Sequence, residues 1–300
     1  GKGEAGPDVE EDVQDVSFAF TVQNPELWSA EQPNLYEAEI ALLHEGTLVE
    51  RTGLKVGLRK FELKDRQMLL NGKRIVFKGV NRHEWSCKTG RTVSHEEMLW
   101  DVKNLKAHNV NAVRTSHYPY AEEFYDLCDR EGILVMDETP AVGIGGGAAV
   151  NPYKEYPLAE HHRQVLAEMI HRDKNHPCVV LWSLGNEPDL EHFPQDAYDY
   201  WHPLYELAHQ LDPQNRPVTL VCCQNDYTKD ITTRTMDIVC INRYYGWDNI
   251  FVASPRYAQF IWMAVSGVGF LGRAAQARND ERVRRRHCGR PAHRRSRDVQ

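Results

Sequence analysis

Hydrophobic and polar positions alternate in short stretches at the start of the chain. The alternation predicts three strands, at residues 16–22, 36–43 and 48–52. Turn-forming pairs such as Asn24-Pro25 and Glu45-Gly46 separate them. This pattern is typical of antiparallel strands in an immunoglobulin-like β-sandwich. Since three strands are too few to close a sandwich, we expect the domain to begin before residue 1.

The period changes near residue 74, where apolar strand-like runs begin to alternate with stretches of helical periodicity. The predicted strands lie at residues 74–80, 111–116, 133–137, 178–183, 217–222 and 237–241. The predicted helices lie at residues 94–108, 120–131, 158–175 and 197–210. Six strands joined by right-handed helical crossovers fit an open doubly wound sheet or part of a (β/α)8 barrel. No glycine-rich phosphate loop follows any strand, which counts against a nucleotide-binding fold.

The helix limits carry local signals of their own. Ser94 followed by Glu97 forms a capping box at the first helix, and Gly132 marks the end of the second. We expect Val102, Leu105 and Ala107 to form the buried stripe of the first helix.

Polar and titratable residues gather where the predicted strands end. They are Asn81, Arg82, His83 and Glu84; Arg114 and His117; Asp137 and Glu138; Asn186 and Glu187; and Asn242, Arg243, Tyr244 and Tyr245. The carboxyl ends of parallel strands meet at one rim, where barrel enzymes place their active sites. Strand ends that merely meet water account for single polar residues, but poorly for repeated histidines, tyrosines and acids. The clusters therefore favour the barrel and an enzymatic role.

Glu187 is the most prominent of these residues. It follows residues 179–182, an apolar run typical of a strand buried on both faces, and Pro188 then ends the pairing. A carboxylate in this position has little use in packing. We therefore predict that Glu187 is an acid catalyst.

Composition narrows the class of protein. The chain of 300 residues is 41% hydrophobic, with a mean hydropathy of -0.59. No apolar run reaches the roughly 18 residues that a membrane helix needs. The 7 cysteines are odd in number, lack metal-type spacing and lie largely in apolar runs. We expect a reduced, cytoplasmic protein without a zinc site or a membrane partner.

Positive charge is concentrated at the carboxyl end. Residues 251–300 hold eleven arginines, no lysine and three acids, although the whole chain has a net charge of -7. Such asymmetry is typical of nucleic-acid-binding tails. The excess of arginine, alanine and glycine also fits translation of GC-rich DNA in a wrong frame. We favour a frameshifted or truncated product and expect no nucleic-acid partner.

Four motifs together resemble glycoside hydrolase family 2, which contains the β-glucuronidases and β-galactosidases. They are residues 77–84 (FKGVNRHE), 111–119 (NAVRTSHYP), 172–177 (RDKNHP) and 182–188 (WSLGNEP). Residues 24–29 (NPELWS) and 53–57 (GLKVG) resemble the immunoglobulin-like domain that precedes the family's barrel. The resemblance implies an immunoglobulin-like part at residues 1–57, six strands of a TIM barrel at 58–250, and a tail unlike the family at 251–300.

The resemblance divides between the two activities. Residues 137–143 (DETPAVG) and 241–247 (INRYYGW) resemble β-glucuronidases, whereas residues 81–85 (NRHEW) and 124–128 (FYDLC) resemble β-galactosidases. It implies a retaining β-glycoside hydrolase acting on terminal β-glucuronides, with β-galactosides as the alternative substrate. It implies no cofactor, although the galactosidases often use Mg²⁺, and it implies a homo-oligomeric parent protein.

The resemblance also implies roles for individual residues. Glu187 is the general acid/base, and Asn186 holds the 2-hydroxyl of the sugar. The remaining candidates are substrate-binding, namely His117, Arg114, Asn242, Tyr244 and His83. Simpler interpretations stay open: Arg114 pairs with Asp137 or Glu138, and His83 caps a strand.

The second carboxylate of the retaining mechanism has no counterpart in the sequence. The family places its nucleophilic glutamate after the segment at 241–247, where this chain has only Asp248 and then Asp280, Glu281 and Asp298 in arginine-rich surroundings. We therefore expect hydrolysis far below that of an intact relative. A sugar-binding protein without catalytic activity is the alternative from a different functional class.

Overall fold

The computed structural model describes residues 19, 21–224 and 227–242, together with the backbone of 262–264. Within these residues, three separate sheets follow one another along the chain. The largest contains seven strands, and its first six are parallel and adjacent in chain order. This half-barrel confirms the predicted fold class.

The first sheet is an antiparallel hairpin of β1 (Tyr36–His44) and β2 (Thr47–Val56). The turn falls at Glu45 and Gly46, with φ of 48° and 79°, as the sequence predicts. These positive angles match the twist of the two strands, which explains the short connection. The predicted strand at 16–22 lies largely outside the described residues.

The second sheet, which the sequence pattern did not predict, joins β3 (Phe61–Lys64), β4 (Gln67–Leu70) and β5 (Lys73–Arg74). The predicted strand at residues 74–80 is therefore wrong. Its apolar run belongs to a connection between β5 and the first strand of the half-barrel, and Ile75 and Phe77 are only partly buried. The sequence pattern was misleading because an extended connection that packs on a core has the same apolar residues as a hydrogen-bonded strand.

The half-barrel consists of β6 (Gly79–Arg82), β7 (Ala112–Thr115), β8 (Leu134–Glu138), β9 (Val179–Asn186), β10 (Val218–Cys222) and β11 (Ile238–Ile241). All eight residues of β9 are buried, as expected for a central parallel strand. An additional strand, β12 (Trp262–Ala264), pairs with β11 in the antiparallel direction. This strand was not predicted from the sequence.

Among the described residues, five α-helices lie between these strands, and four of them match predictions. They are α1 (His95–Ala107), α2 (Glu122–Glu131), α3 (Pro152–Glu155), α4 (Ala159–Asp173) and α5 (Pro194–Leu211); the short α3 was not predicted. The capping box of Ser94 and Glu97 is present, and Gly132 closes α2 in the left-handed conformation. Met98 and Val102 form the buried stripe of α1. Leu105 is only partly buried and Ala107 is exposed, so that part of the prediction is wrong.

The concave face of the half-barrel encloses a groove of about 300 Å³. Its walls are largely apolar and include Phe77, Val80, Val113, Val135 and Val221. Arg114 and Asn81 are its polar lining residues. Asn81 and Arg114 stand near the carboxyl ends of β6 and β7, so the groove borders the strand ends that carry the predicted site residues.

Candidate active site

Six of the seven predicted site residues lie at the carboxyl ends of the half-barrel strands. Hydrogen bonds connect five of them, namely Glu187, Asn242, Asn186, Arg114 and His117. His83 joins this group through a ring contact with His117. Tyr244, the seventh, lies outside the described residues.

Glu187 leaves strand β9 in a left-handed backbone conformation, with φ of 52°. Its N–H donates to the carbonyl of Val221 at 2.8 Å, which anchors the backbone to the neighbouring strand β10. Asn242 Nδ2 donates to Glu187 Oε1 at 2.6 Å. A non-glycine residue in this conformation costs on the order of 1 to 2 kcal/mol, and such strain recurs at active sites. The carboxylate is therefore held in one position at the expense of local backbone energy.

Asn186 occupies the centre of the hydrogen-bond chain. Its Oδ1 accepts from Arg114 Nη2 at 2.8 Å and from Asn242 Nδ2 at 3.0 Å. Two donors on Oδ1 set the orientation of the amide, so its Nδ2 is the donor available to a ligand. The backbone is equally constrained: its N–H donates to Ala141, and Gly143 donates to its carbonyl, both at 2.8 Å.

Arg114 is paired with Glu138, one of the two ion-pair partners that the sequence left open. Arg114 Nε donates to Glu138 Oε2 at 2.7 Å, and Nη2 donates to Oε1 at 2.9 Å. Both side chains are buried. A two-point pair of this kind places the guanidinium accurately, and the same Nη2 then reaches Asn186. Glu138 therefore fixes the guanidinium of Arg114, and Arg114 in turn orients the side chain of Asn186.

Glu138 was not among the predicted site residues, although it stands at the end of β8. Besides Arg114, it accepts from Ser183 Oγ at 2.6 Å and contacts His117 Nδ1 at 2.7 Å. Burial raises the pKa of Glu138, but the hydrogen bonds and charges of His117, Arg114 and Ser183 outweigh it and lower the pKa. The ionised carboxylate is the anchor of the site.

Asp137, the preceding residue, points to the opposite side of β8. It accepts from Tyr125 Oη at 2.7 Å and from Thr115 Oγ1 at 3.1 Å. Burial, followed by the neighbouring carboxyl of Asp173, raises the pKa of Asp137 well above its usual value. Successive strand residues face opposite sides, so these two neighbouring carboxyl groups lie in different surroundings and their pKa values shift in opposite directions.

The two histidines stand on the same side of the site. His117 has a side-chain exposure of 22%, and its Nδ1 contacts Glu138, which leaves Nε2 for a ligand. His83 packs against it edge to face, with ring centroids 5.3 Å apart and an angle of 76°. Burial lowers the pKa of His83, and the nearby charges of His117, Arg114 and Arg91 lower it further. A neutral His83 can donate or accept a hydrogen bond.

A possible metal-binding group lies away from this site, in the segment that leads into β9. Among the described residues, Asp129, His176 and Cys178 form the group whose donor atoms lie within 4.8 Å of one another. The three ligand atoms already have partners, because Asp129 Oδ2 contacts His176 Nδ1 at 2.6 Å and Cys178 Sγ donates to the Tyr125 carbonyl at 3.6 Å. The Cys178 N–H also donates to Asp129 Oδ1 at 2.9 Å. Burial, followed by Asp129, raises the pKa of the Cys178 thiol well above its usual value. This arrangement is typical of a structural hydrogen-bond cluster that joins α2 to β9.

Two family models match the chain. "Glycosyl hydrolases family 2, TIM barrel domain" matches residues 61–260, and "Glycosyl hydrolases family 2" matches residues 2–59. Among the described residues, no helix has the length and apolar character needed to cross a membrane.

Individual relatives belong to both activities that the motifs resemble. A β-glucuronidase from Paenibacillus borealis is 41% identical over 238 residues, covering 77% of this chain and 39% of that protein. A β-galactosidase from Streptococcus thermophilus is 42% identical over 215 residues, covering 69% of this chain and 21% of that protein. The solved structure of a Faecalibacterium prausnitzii β-glucuronidase is similar with a TM-score of 0.73 and 68% identity, covering 78% of this chain and 39% of that one. The chain thus spans about two fifths of these glucuronidases and one fifth of this galactosidase.

Proposed function

We propose that this chain, which belongs to glycoside hydrolase family 2, carries the acid/base half of a retaining β-glycosidase. Its proposed substrates are terminal β-glucuronides. The observation that carries the proposal is the contact of Glu187 with Asn242 at the carboxyl end of the half-barrel. A strained, hydrogen-bonded carboxylate beside an oriented amide suits proton transfer at a glycosidic bond.

Glu187 acts twice in the proposed reaction. It first protonates the oxygen of the leaving group as the bond to the sugar breaks, and it then removes a proton from the water that releases the sugar. Asn186 Nδ2 donates to the 2-hydroxyl of the sugar, a hydrogen bond that strengthens in the transition state. Arg114 and Glu138 position Asn186, and His117 Nε2 and His83 contact the sugar from the side of β6 and β7.

The retaining mechanism also needs a nucleophilic carboxylate about 5 to 5.5 Å from the acid/base. We assign this role to none of the described residues. Asp248, Asp280, Glu281 and Asp298 lie outside the described residues. We therefore propose that this chain hydrolyses glycosides far more slowly than its full-length relatives. The alternative from another class is a sugar-binding protein without turnover.

The test compares leaving groups in a Glu187→Gln variant. A good leaving group departs without protonation, so the variant should lose about a hundredfold of kcat/KM with 4-nitrophenyl β-glucuronide and much less with the 2,4-dinitrophenyl glucuronide. We compare kcat/KM because it reports the departure of the leaving group and not the later release of the sugar. Glu191→Gln, in the same loop, is the matched control and should change neither rate. An equal loss with both substrates would contradict the acid/base role.

The unchanged chain from this experiment also serves to test the alternative substrate and the alternative functional class. Faster turnover of 4-nitrophenyl β-galactoside than of the glucuronide would favour the galactosidase alternative. Binding of D-glucuronic acid without turnover of any aryl glycoside would identify a sugar-binding protein. We favour glucuronides because the F. prausnitzii β-glucuronidase combines 68% identity with a similar structure.

A further inference from the structure

Residues 81–86, at the end of β6 and just after it, have one exposed face and one buried face. Burial alternates along it, because Arg82, Glu84 and Ser86 are buried and the residues between them are exposed. The exposed face consists of Asn81, His83 and Trp85. Residues two apart in extended chain are about 7 Å apart on the same face. Trp85 therefore continues a line that His83 and Asn81 begin.

This line starts inside the candidate active site. Asn81 pairs in register with Arg114 on β7, and His83 stands edge-on to His117. Trp85 is the next member outward, and 63% of its surface is exposed. An indole thus stands at the outer rim of the site, one step beyond the groups that we place against the sugar.

The backbone under Trp85 is fixed. Ser86 and Gly90 exchange both backbone hydrogen bonds, at 2.7 and 2.9 Å, which closes the loop after Trp85. Ser86 Oγ also donates to Glu97 Oε1 at 2.9 Å, which ties this loop to the start of α1. An exposed aromatic side chain on an anchored backbone is suited to binding, because little backbone freedom is lost when a ligand stacks on it.

Aromatic and cationic groups flank the same rim. Tyr118 lies 6.3 Å from His83 between ring centroids, and its hydroxyl donates to the carbonyl of Glu84. The guanidinium of Arg91 stands 4.6 Å from the centre of the Tyr118 ring. The rim next to His83 therefore carries further flat side chains, Tyr118 and Arg91, in addition to Trp85.

We propose that Trp85 is the stacking wall of an aglycone subsite that selects flat aromatic leaving groups. The aglycone is the group joined to the sugar through the bond that is cleaved, so it lies on the outer side of the sugar. This inference rests on the proposed function, because it takes the sugar to lie between Glu187 and His83. In this proposal Trp85 determines specificity for the aglycone and takes no part in proton transfer.

Trp100 provides a matched control, since it is 65% exposed and lies on α1. Met98 and Val102 on the same helix are buried against the sheet. Residue 100 is about 200° around the helix axis from residue 98, so Trp100 faces away from the half-barrel. The two tryptophans are equally exposed, but only Trp85 continues the line from His83.

The experiment measures binding of two glucuronides by calorimetry, using the whole chain and its Trp85→Ala, Trp85→Phe and Trp100→Ala variants. The ligands are methyl β-D-glucuronide and 4-nitrophenyl 1-thio-β-D-glucuronide, which resists hydrolysis. We expect Trp85→Ala to weaken binding of the nitrophenyl ligand about fivefold, with the methyl ligand unchanged. Trp85→Phe should keep most of the nitrophenyl affinity, and Trp100→Ala should keep all of it.

The outcomes separate this inference from the proposed function. Binding of both ligands with the same affinity ratio in Trp85→Ala as in the unchanged chain would overturn the role of Trp85 and leave the proposed function standing. Failure of the unchanged chain to bind either glucuronide would overturn both. An equal loss for Trp85→Ala and Trp100→Ala would indicate a general effect on the fold and would also overturn the role of Trp85.

Discussion

At the scale of single residues, Glu138 determines the arrangement of the candidate site. Its two oxygens receive hydrogen bonds from Arg114 and Ser183 and contact His117, and the carboxylate is buried. Asn186 depends on Glu138 indirectly, because Arg114 reaches Asn186 only while its guanidinium is held in place. Glu138 thus orients the residues that we propose to contact the sugar.

Replacing Glu138 with Gln tests this role. The change removes a buried negative charge and leaves the guanidinium of Arg114 uncompensated, so we expect a loss of about 3 to 5 kcal/mol in the free energy of unfolding. Urea denaturation measures it. Glu39→Gln is the control, because Glu39 pairs with Arg51 on the surface and its loss should cost under about 1 kcal/mol. Similar losses in both variants would contradict the anchoring role.

Two histidines make stability depend on pH. Burial lowers the pKa of His176, but its hydrogen bond to Asp129 outweighs burial and raises the pKa. The hydrogen bond to Asp237 raises the pKa of His209. A raised pKa means that the folded chain binds the proton more tightly than the unfolded chain. The stabilisation is therefore complete below pH 6.5 and disappears as pH rises through the folded pKa.

The share of the free energy of unfolding that His176 and His209 contribute should decrease between pH 6 and pH 9. His176→Asn should remove its part of this decrease, and the share of His209 should remain. Chemical denaturation at intervals of half a pH unit measures both profiles. A steeper decrease in His176→Asn than in the unchanged chain would contradict the assignment.

At the scale of elements, Gly132 at the end of α2 lies close to Ala30, in the segment that precedes the hairpin. It adopts φ of 74°, and a Cβ placed there would lie 2.4 Å from the carbonyl oxygen of Ala30. Gly72, in the turn between β4 and β5, has a similar φ of 77° with nothing within 4 Å. An alanine at either position causes backbone strain, but only an alanine at Gly132 also causes a steric clash. Comparing the two substitutions therefore distinguishes the two effects.

We expect Gly72→Ala to lower the free energy of unfolding by about 1 kcal/mol, from the left-handed conformation alone. Gly132→Ala should cost at least about 1 kcal/mol more, because Ala30 must also move. Thermal or urea denaturation measures the difference. Equal costs would show that the contact with Ala30 relaxes freely.

At the scale of the whole molecule, apolar surface is exposed on the β1–β2 hairpin. Its exposed side chains include Ile40, Leu42, Leu43, Leu48 and Val49. The groove of the half-barrel adds further apolar surface. Exposed apolar patches of this kind drive association.

We expect the chain to self-associate with increasing concentration, and sedimentation velocity measures this. Lysine at Leu43 and Val49 should weaken association, because it interrupts the apolar patch without changing a buried side chain. Thr92→Lys, at an exposed position outside the patch, is the control. A monomer at all concentrations would contradict the expectation.

Local pattern was sufficient for five of the six parallel strands, for four helices and for the position of Glu187 at the end of a strand. Apolar runs, capping residues and strand-end polarity are short-range properties, and each is visible within a few neighbouring residues. The same short range explains the errors. The connection after β5 has the apolar composition of a strand, and Ala107 has the spacing of a buried position, although neither packs as its pattern indicates.

The tertiary structure alone showed which strand-end residues contact each other. Asp137 and Glu138 are adjacent and chemically similar, yet one faces Tyr125 and the other holds Arg114 and His117. The contacts of Glu138 join residues 21 to 45 positions apart in the chain. Curvature of the sheet brings these strand ends together, and no short-range pattern encodes it. The sequence therefore predicted which residue types stand at the strand ends, whereas the partner and the orientation of each side chain followed from the fold.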